Sequence, residues 1–118
     1  MKFWSLCLQY IRKAIGWSFI HMIPVLPVQR LKETDTLVAF HHPKPSYPVH
    51  ILLVPKRVIA NLSELSEEDG DFFVDLYKCV QSLVLKYKLE QSGYRLIVNG
   101  GAYQEFPQLH FHLISNEE

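Results

Sequence analysis

The 118-residue chain carries twelve Lys and Arg against twelve Asp and Glu, and it is 48% hydrophobic and 13% aromatic. The charge balance excludes the one-sided basic footprint of a nucleic-acid binder, and the apolar content excludes a disordered chain. The length suits one domain with a core of its own. Cys7 and Cys79 stand far apart and form no CxxC pattern, so two free thiols in a reducing, cytoplasmic setting are expected.

From Met1 to about Ile23 the chain is unusually apolar. Wound as a helix, Ser5, Gln9, Arg12 and Gly16 make one narrow polar stripe, and Phe3, Trp4, Leu6, Leu8, Tyr10, Ile11, Ile15 and Trp17 cover the rest. Arg12 and Lys13 interrupt the run before it reaches the roughly 18 apolar residues of a spanning helix. No small-x-small site follows it, so a secretory signal fits poorly. Residues 1–17 are expected to form an amphipathic helix packed on protein. The competing reading lays the same helix on a membrane surface, which would make the protein peripheral to a membrane. Residues 1–18 are accordingly set apart as an extension, and residues 19–118 as the folded domain.

Pro24 and Pro27 end the helix and begin an extended segment. Val28 to Lys32 and Leu37 to His41 read as two short strands joined by the turn Glu33-Thr34-Asp35. The Pro-rich run His41 to Pro48 cannot continue a ladder and is a loop. Val49 to Val54 is a buried-type strand closed by Pro55. Its single polar residue, His50, is either a capped core histidine or part of a site.

Asn61 to Leu65 is a connector, and Ser66 is the expected N-cap of a long helix. Ser66 and Asp69 have capping-box spacing, and Glu67, Glu68 and Asp69 suit the positive end of the helix. Phe72, Phe73, Leu76, Val80, Leu83, Val84 and Tyr87 recur at three and four, giving one apolar face. Gly93 ends the helical region. Tyr94 to Asn99 is another strand, followed by Gly100-Gly101 and a loop from Ala102 to Pro107.

The chain then reaches Gln108-Leu109-His110-Phe111-His112-Leu113-Ile114, which alternates with the period of a half-buried strand. Leu109, Phe111 and Leu113 would enter the core, and Gln108, His110 and His112 would share the opposite face. Two imidazoles that close can attack or accept a proton while the partner meets developing charge. A plain sheet surface and a His-x-His zinc site with His50 as third ligand are the competing readings. The strand alone does not decide among them.

Five pieces in order resemble the histidine triad (HIT) superfamily of nucleotide hydrolases and transferases. They are Leu37 to His41, His50 to Lys56, the long helix, Gly93 to Asn99, and Gln108 to Ile114. The resemblance, closest to the phosphoramidate-cleaving branch, runs from about Phe19 to Ser115. It implies an α+β fold, an antiparallel sheet of about five strands with one long helix, beside the extra N-terminal helix. It also implies a homodimer and a site for a nucleoside monophosphate. His110 matches the nucleophile that attacks the α-phosphorus to give a nucleotidyl-histidine. His112 matches the last triad histidine, and His50 and Asn99 match residues near the phosphate. Phe40 falls on the same substrate-binding side. The route needs no metal or other cofactor.

Three positions depart from the family pattern. Gln108 replaces the first triad histidine, where an amide can still donate and accept. His42 stands where an acidic residue usually grips the ribose hydroxyls. Glu105 lies near the position of a serine that assists the leaving group, in a loop about two residues shorter, and its carboxylate would repel phosphate unless it serves as a proton donor or points away. Two functions therefore compete: a phosphoramidate or phosphate-ester hydrolase or nucleotidyl transferase, and a non-catalytic nucleotide-binding or interaction module of the same fold.

Overall fold

The computed structural model describes residues 30–116. The amphipathic helix expected at residues 1–17, and the whole of the 1–18 extension set apart with it, lie outside the described residues. Five strands form one antiparallel sheet in the order β1-β2-β3-β5-β4. They are β1 (Arg30–Glu33), β2 (Leu37–His41), β3 (Val49–Pro55), β4 (Arg95–Val98) and β5 (Phe111–Ser115). One long helix, α1 (Gly70–Lys86), and a single-turn helix, α2 (Leu89–Ser92), connect β3 to β4. The fold is the α+β arrangement expected from the sequence.

Alternation assigns each strand residue to a face. Leu37 and Ala39 on β2, Val49, Ile51 and Leu53 on β3, and Phe111 and Leu113 on β5 join one buried cluster. Phe72, Leu76, Cys79, Leu83 and Val84 of α1 complete it. The reverse face carries a smaller buried cluster, Val38, Phe40, Leu52 and Val54. His50 and His112 share the parity of Leu52, so they stand on this reverse face. The register sets Leu52 opposite both Phe40 and His112, and Ile97 opposite His112 on the other side.

The expected capping box forms, but Ser66 caps a short 3-10 turn and the long helix itself starts at Gly70, after Asp69. Ser66 Oγ accepts from Glu68 N at 3.3 Å, and Asp69 Oδ2 accepts from Ser66 N at 2.9 Å. This capping box sits on a 3-10 turn, Glu67–Asp69, that runs into α1. Lys88, at φ 57, and Gly93, at φ 100, close the helical region; at Gly93 a side chain would be strained.

Two expectations need correction. Phe73, placed on the apolar core face by spacing, is 43% exposed, while Cys79 lies inside. The reason is angular: α1 buries a stripe through Phe72, Leu76, Cys79 and Leu83, and Phe73 falls on its flank. The second concerns the histidine strand, whose ladder begins at Phe111 rather than Gln108. Gln108 does not share the histidine face; it is 0% exposed. Its amide leaves the sheet to satisfy backbone groups of the chain after β3, accepting from Ile59 N at 3.1 Å and donating to Arg57 O at 3.2 Å.

Candidate active site

A cleft of about 650 Å³ opens on the reverse face of the sheet. Strands β2, β3, β4 and β5 supply Phe40, Leu52, Ile97 and Ile114 as its apolar floor. His42 and Pro43 enter on the loop after β2, and Asn99, Tyr103, Glu105 and Phe106 on the loop after β4. His50, His110 and His112 lie between these loops. The sequence-predicted residues Phe40, His42, His50, Asn99, Glu105, His110 and His112 are thus brought together, and Gln108 is left behind them. Ser46, Tyr47, Tyr103 and Phe106 were not singled out from sequence. Leu52, Ile97 and Ile114 could have been, because they share strand parity with His50 and His112.

The imidazoles are oriented by backbone groups. His110 Nδ1 lies 2.7 Å from Gln108 O. A carbonyl can only accept, so Nδ1 carries the hydrogen and Nε2 keeps a free lone pair. His50 Nδ1 accepts from Ser46 N at 3.1 Å, which places its hydrogen on Nε2. That Nε2 lies 2.9 Å from His112 Nδ1, so His50 donates and His112 accepts. His112 is left with its own hydrogen on Nε2. One ring thereby keeps an open lone pair and its neighbour an N–H to offer, with ring centroids 4.9 Å apart.

The surroundings favour the neutral forms of His112, His50 and His42. Burial, with the charges of His110, His50 and His42 added, pushes the His112 pKa down to about 4. Burial also lowers His50, helped by His42, and lowers His42, helped by His110. Neutrality suits both the acceptor role of His112 Nδ1 and the donor role of its Nε2. Both His50 nitrogens are engaged in hydrogen bonds. Among the described residues no group of three His, Cys, Asp or Glu is placed to hold a metal ion.

Gln108 supports the site from behind: its carbonyl fixes His110 while its side chain pins Ile59. Leu109 N reinforces the joint by donating to Ile59 O at 2.7 Å. The outer wall of this joint is tied by Arg57, whose Nη2 donates to Asp69 Oδ1 at 2.7 Å.

Comparison with known proteins agrees with this arrangement. Residues 24–118 match the family model described as HIT domain. An uncharacterised HIT-like protein of Buchnera aphidicola is 30% identical over 96 residues, covering 80% of this chain and 86% of its own. A HIT family hydrolase from Clostridium thermocellum superposes with a TM-score of 0.76 at 32% identity, over 86% of this chain and 90% of that one. A histidine triad nucleotide-binding protein from Candida albicans gives 0.73 at 28% identity, over 85% and 74%. The chain belongs to the HIT domain family.

Proposed function

We propose that the protein is a nucleotide hydrolase or nucleotidyl transferase that works through a covalent intermediate on His110. The substrate is a nucleotide phosphoramidate or phosphate ester. The observation that carries this reading is the 2.7 Å contact between His110 Nδ1 and Gln108 O, which leaves the lone pair on Nε2 of a ring that lines the cleft. The lone pair on Nε2 forms a bond to the α-phosphorus as the bond to the leaving amine or alkoxide breaks. The departing group takes a proton at the solvent-open mouth. The His110 ring becomes a positively charged N-nucleotidyl imidazolium, and the Gln108 carbonyl stabilises it by accepting its Nδ1–H.

His112 Nε2–H donates to a phosphoryl oxygen, and the His50 hydrogen bond keeps it in that tautomer. Water then attacks phosphorus and gives up a proton to solvent, the P–N bond breaks and His110 returns neutral. Two names among the relatives, a family hydrolase and a nucleotide-binding protein, support the reading. Incubation with adenosine 5′-phosphoramidate tests it. Release of adenosine monophosphate by the wild type, lost in His110→Ala, is the expected result. Binding without turnover would favour the non-catalytic module, for which the Glu105 carboxylate in the cleft wall speaks.

We also infer a homodimer. Strand β4 is an edge of the sheet, and a ladder edge invites a further strand. Beside it Tyr77 is 62% exposed, Tyr94 47% and Leu96 42%. These residues, with Phe73 and Leu85, line an apolar groove of about 540 Å³ between α1 and β4. Pairing of two β4 edges would continue the sheet and cover the groove, on the ~2,000 Å² scale of stable dimers.

A further inference from the structure

At the end of the cleft beside Ser46 and Tyr47, His42 offers a donor. Lys44 N donates to His42 Nδ1 at 2.9 Å. The neutral ring therefore carries its hydrogen on Nε2, the nitrogen that the Lys44 amide does not hold. Neighbouring His50, with its centroid 4.4 Å from that of His42, has both nitrogens engaged and accepts nothing from a ligand. The hydroxyls of Ser46 and Tyr47 can turn either way, so the ring sets the hydrogen-bonding sense of this end. Among the described lining residues Glu105 is the one carboxylate. It enters on the loop after β4, and β3 and β5 stand between that strand and β2.

A sugar diol is gripped by acceptors, which take its two hydroxyl hydrogens. An imidazole that already holds a hydrogen on its cleft edge cannot take one; it offers one instead. We propose that His42 selects a substrate with a second phosphate on the sugar, making the preferred ligand a nucleoside bisphosphate. This rests on the nucleotide reading above and deepens it. The His42 and His112 rings are stacked with centroids 6.3 Å apart. A phosphate on His42 would stand about one sugar away from the phosphoryl group met by His110 and His112. Phosphates on the 5′ and 3′ carbons of one ribose have such a separation.

Calorimetric titration of the full chain with adenosine monophosphate and with adenosine 3′,5′-bisphosphate tests this. A charge-assisted hydrogen bond predicts at least about tenfold tighter binding of the bisphosphate by the wild type. His42→Asp supplies an acceptor and a negative charge, and should reverse the order. His42→Asn, which retains a donor, should keep part of the preference. Equal or tighter binding of the monophosphate by the wild type overturns the proposal, and that comparison requires no variant to fold. An unchanged preference in His42→Asp overturns it too. If both ligands bind without discrimination, only the role of His42 fails. If neither binds, the nucleotide reading fails with it.

Discussion

His50 Nε2 and His112 Nδ1 meet at 2.9 Å across the β3–β5 ladder. The contact makes His112 an acceptor on one side and a donor on the other, and it begins at a backbone amide, Ser46 N. The tautomers of these rings are thus set from the main chain outward. A chain of this kind works only while its rings are neutral.

Acid should therefore weaken the fold. The His112 pKa is held at about 4 in the folded protein against 6.5 for a free imidazole. Between those values the unfolded chain binds more protons, so stability falls as pH falls and the loss levels off below about pH 4. His42 and His50, lowered in the same direction, add to the slope. For His112 the effect is about 1 kcal/mol once solvent screening of a partly exposed ring is allowed for. Urea denaturation midpoints from pH 7 to pH 4 would measure it. His112→Asn should flatten the curve, and an unchanged slope in that variant would refute the assignment.

Gln108→Ala should cost stability and activity together. It strands a buried Ile59 N–H and the Arg57 carbonyl, a loss of roughly 2–3 kcal/mol. It also loosens the joint that aims His110, so turnover should fall even under conditions where the variant is folded. Gln108→His, which can both donate and accept, should recover most of the lost stability. Chemical denaturation beside a turnover assay separates the two effects. Wild-type stability in Gln108→Ala would show that the amide is not a structural tie.

A double change, Tyr77→Lys with Leu96→Lys, places charges in the groove beside β4. We expect the wild type to behave as a dimer in light scattering at micromolar concentration and this variant as a monomer. A monomeric wild type would exclude the pairing.

Much of this fold was legible because local signals agreed with global placement. The Leu37–His41 strand, the buried Val49–Pro55 run and the Ser66 capping box all announce themselves by period or spacing. Parity alone also puts His110 and His112 on one side. Gln108 was misplaced because period alone cannot show where a ladder stops. Its side chain turns to a segment 49 residues away in sequence, a partner set only by tertiary packing. Phe73 failed for a similar reason: three-and-four spacing defines an apolar stripe but not its edge. The His42–His50–His112 array was invisible as a unit, since it joins three separate stretches of chain.

The central claim is covalent chemistry at His110. Rapid-quench intact-mass spectrometry during turnover of adenosine 5′-phosphoramidate tests it most directly. We predict a transient mass increase of one adenylyl group, mapped by proteolysis to His110 and absent in His110→Ala. Turnover that persists in His110→Ala, or an adduct on any other residue, would contradict the account.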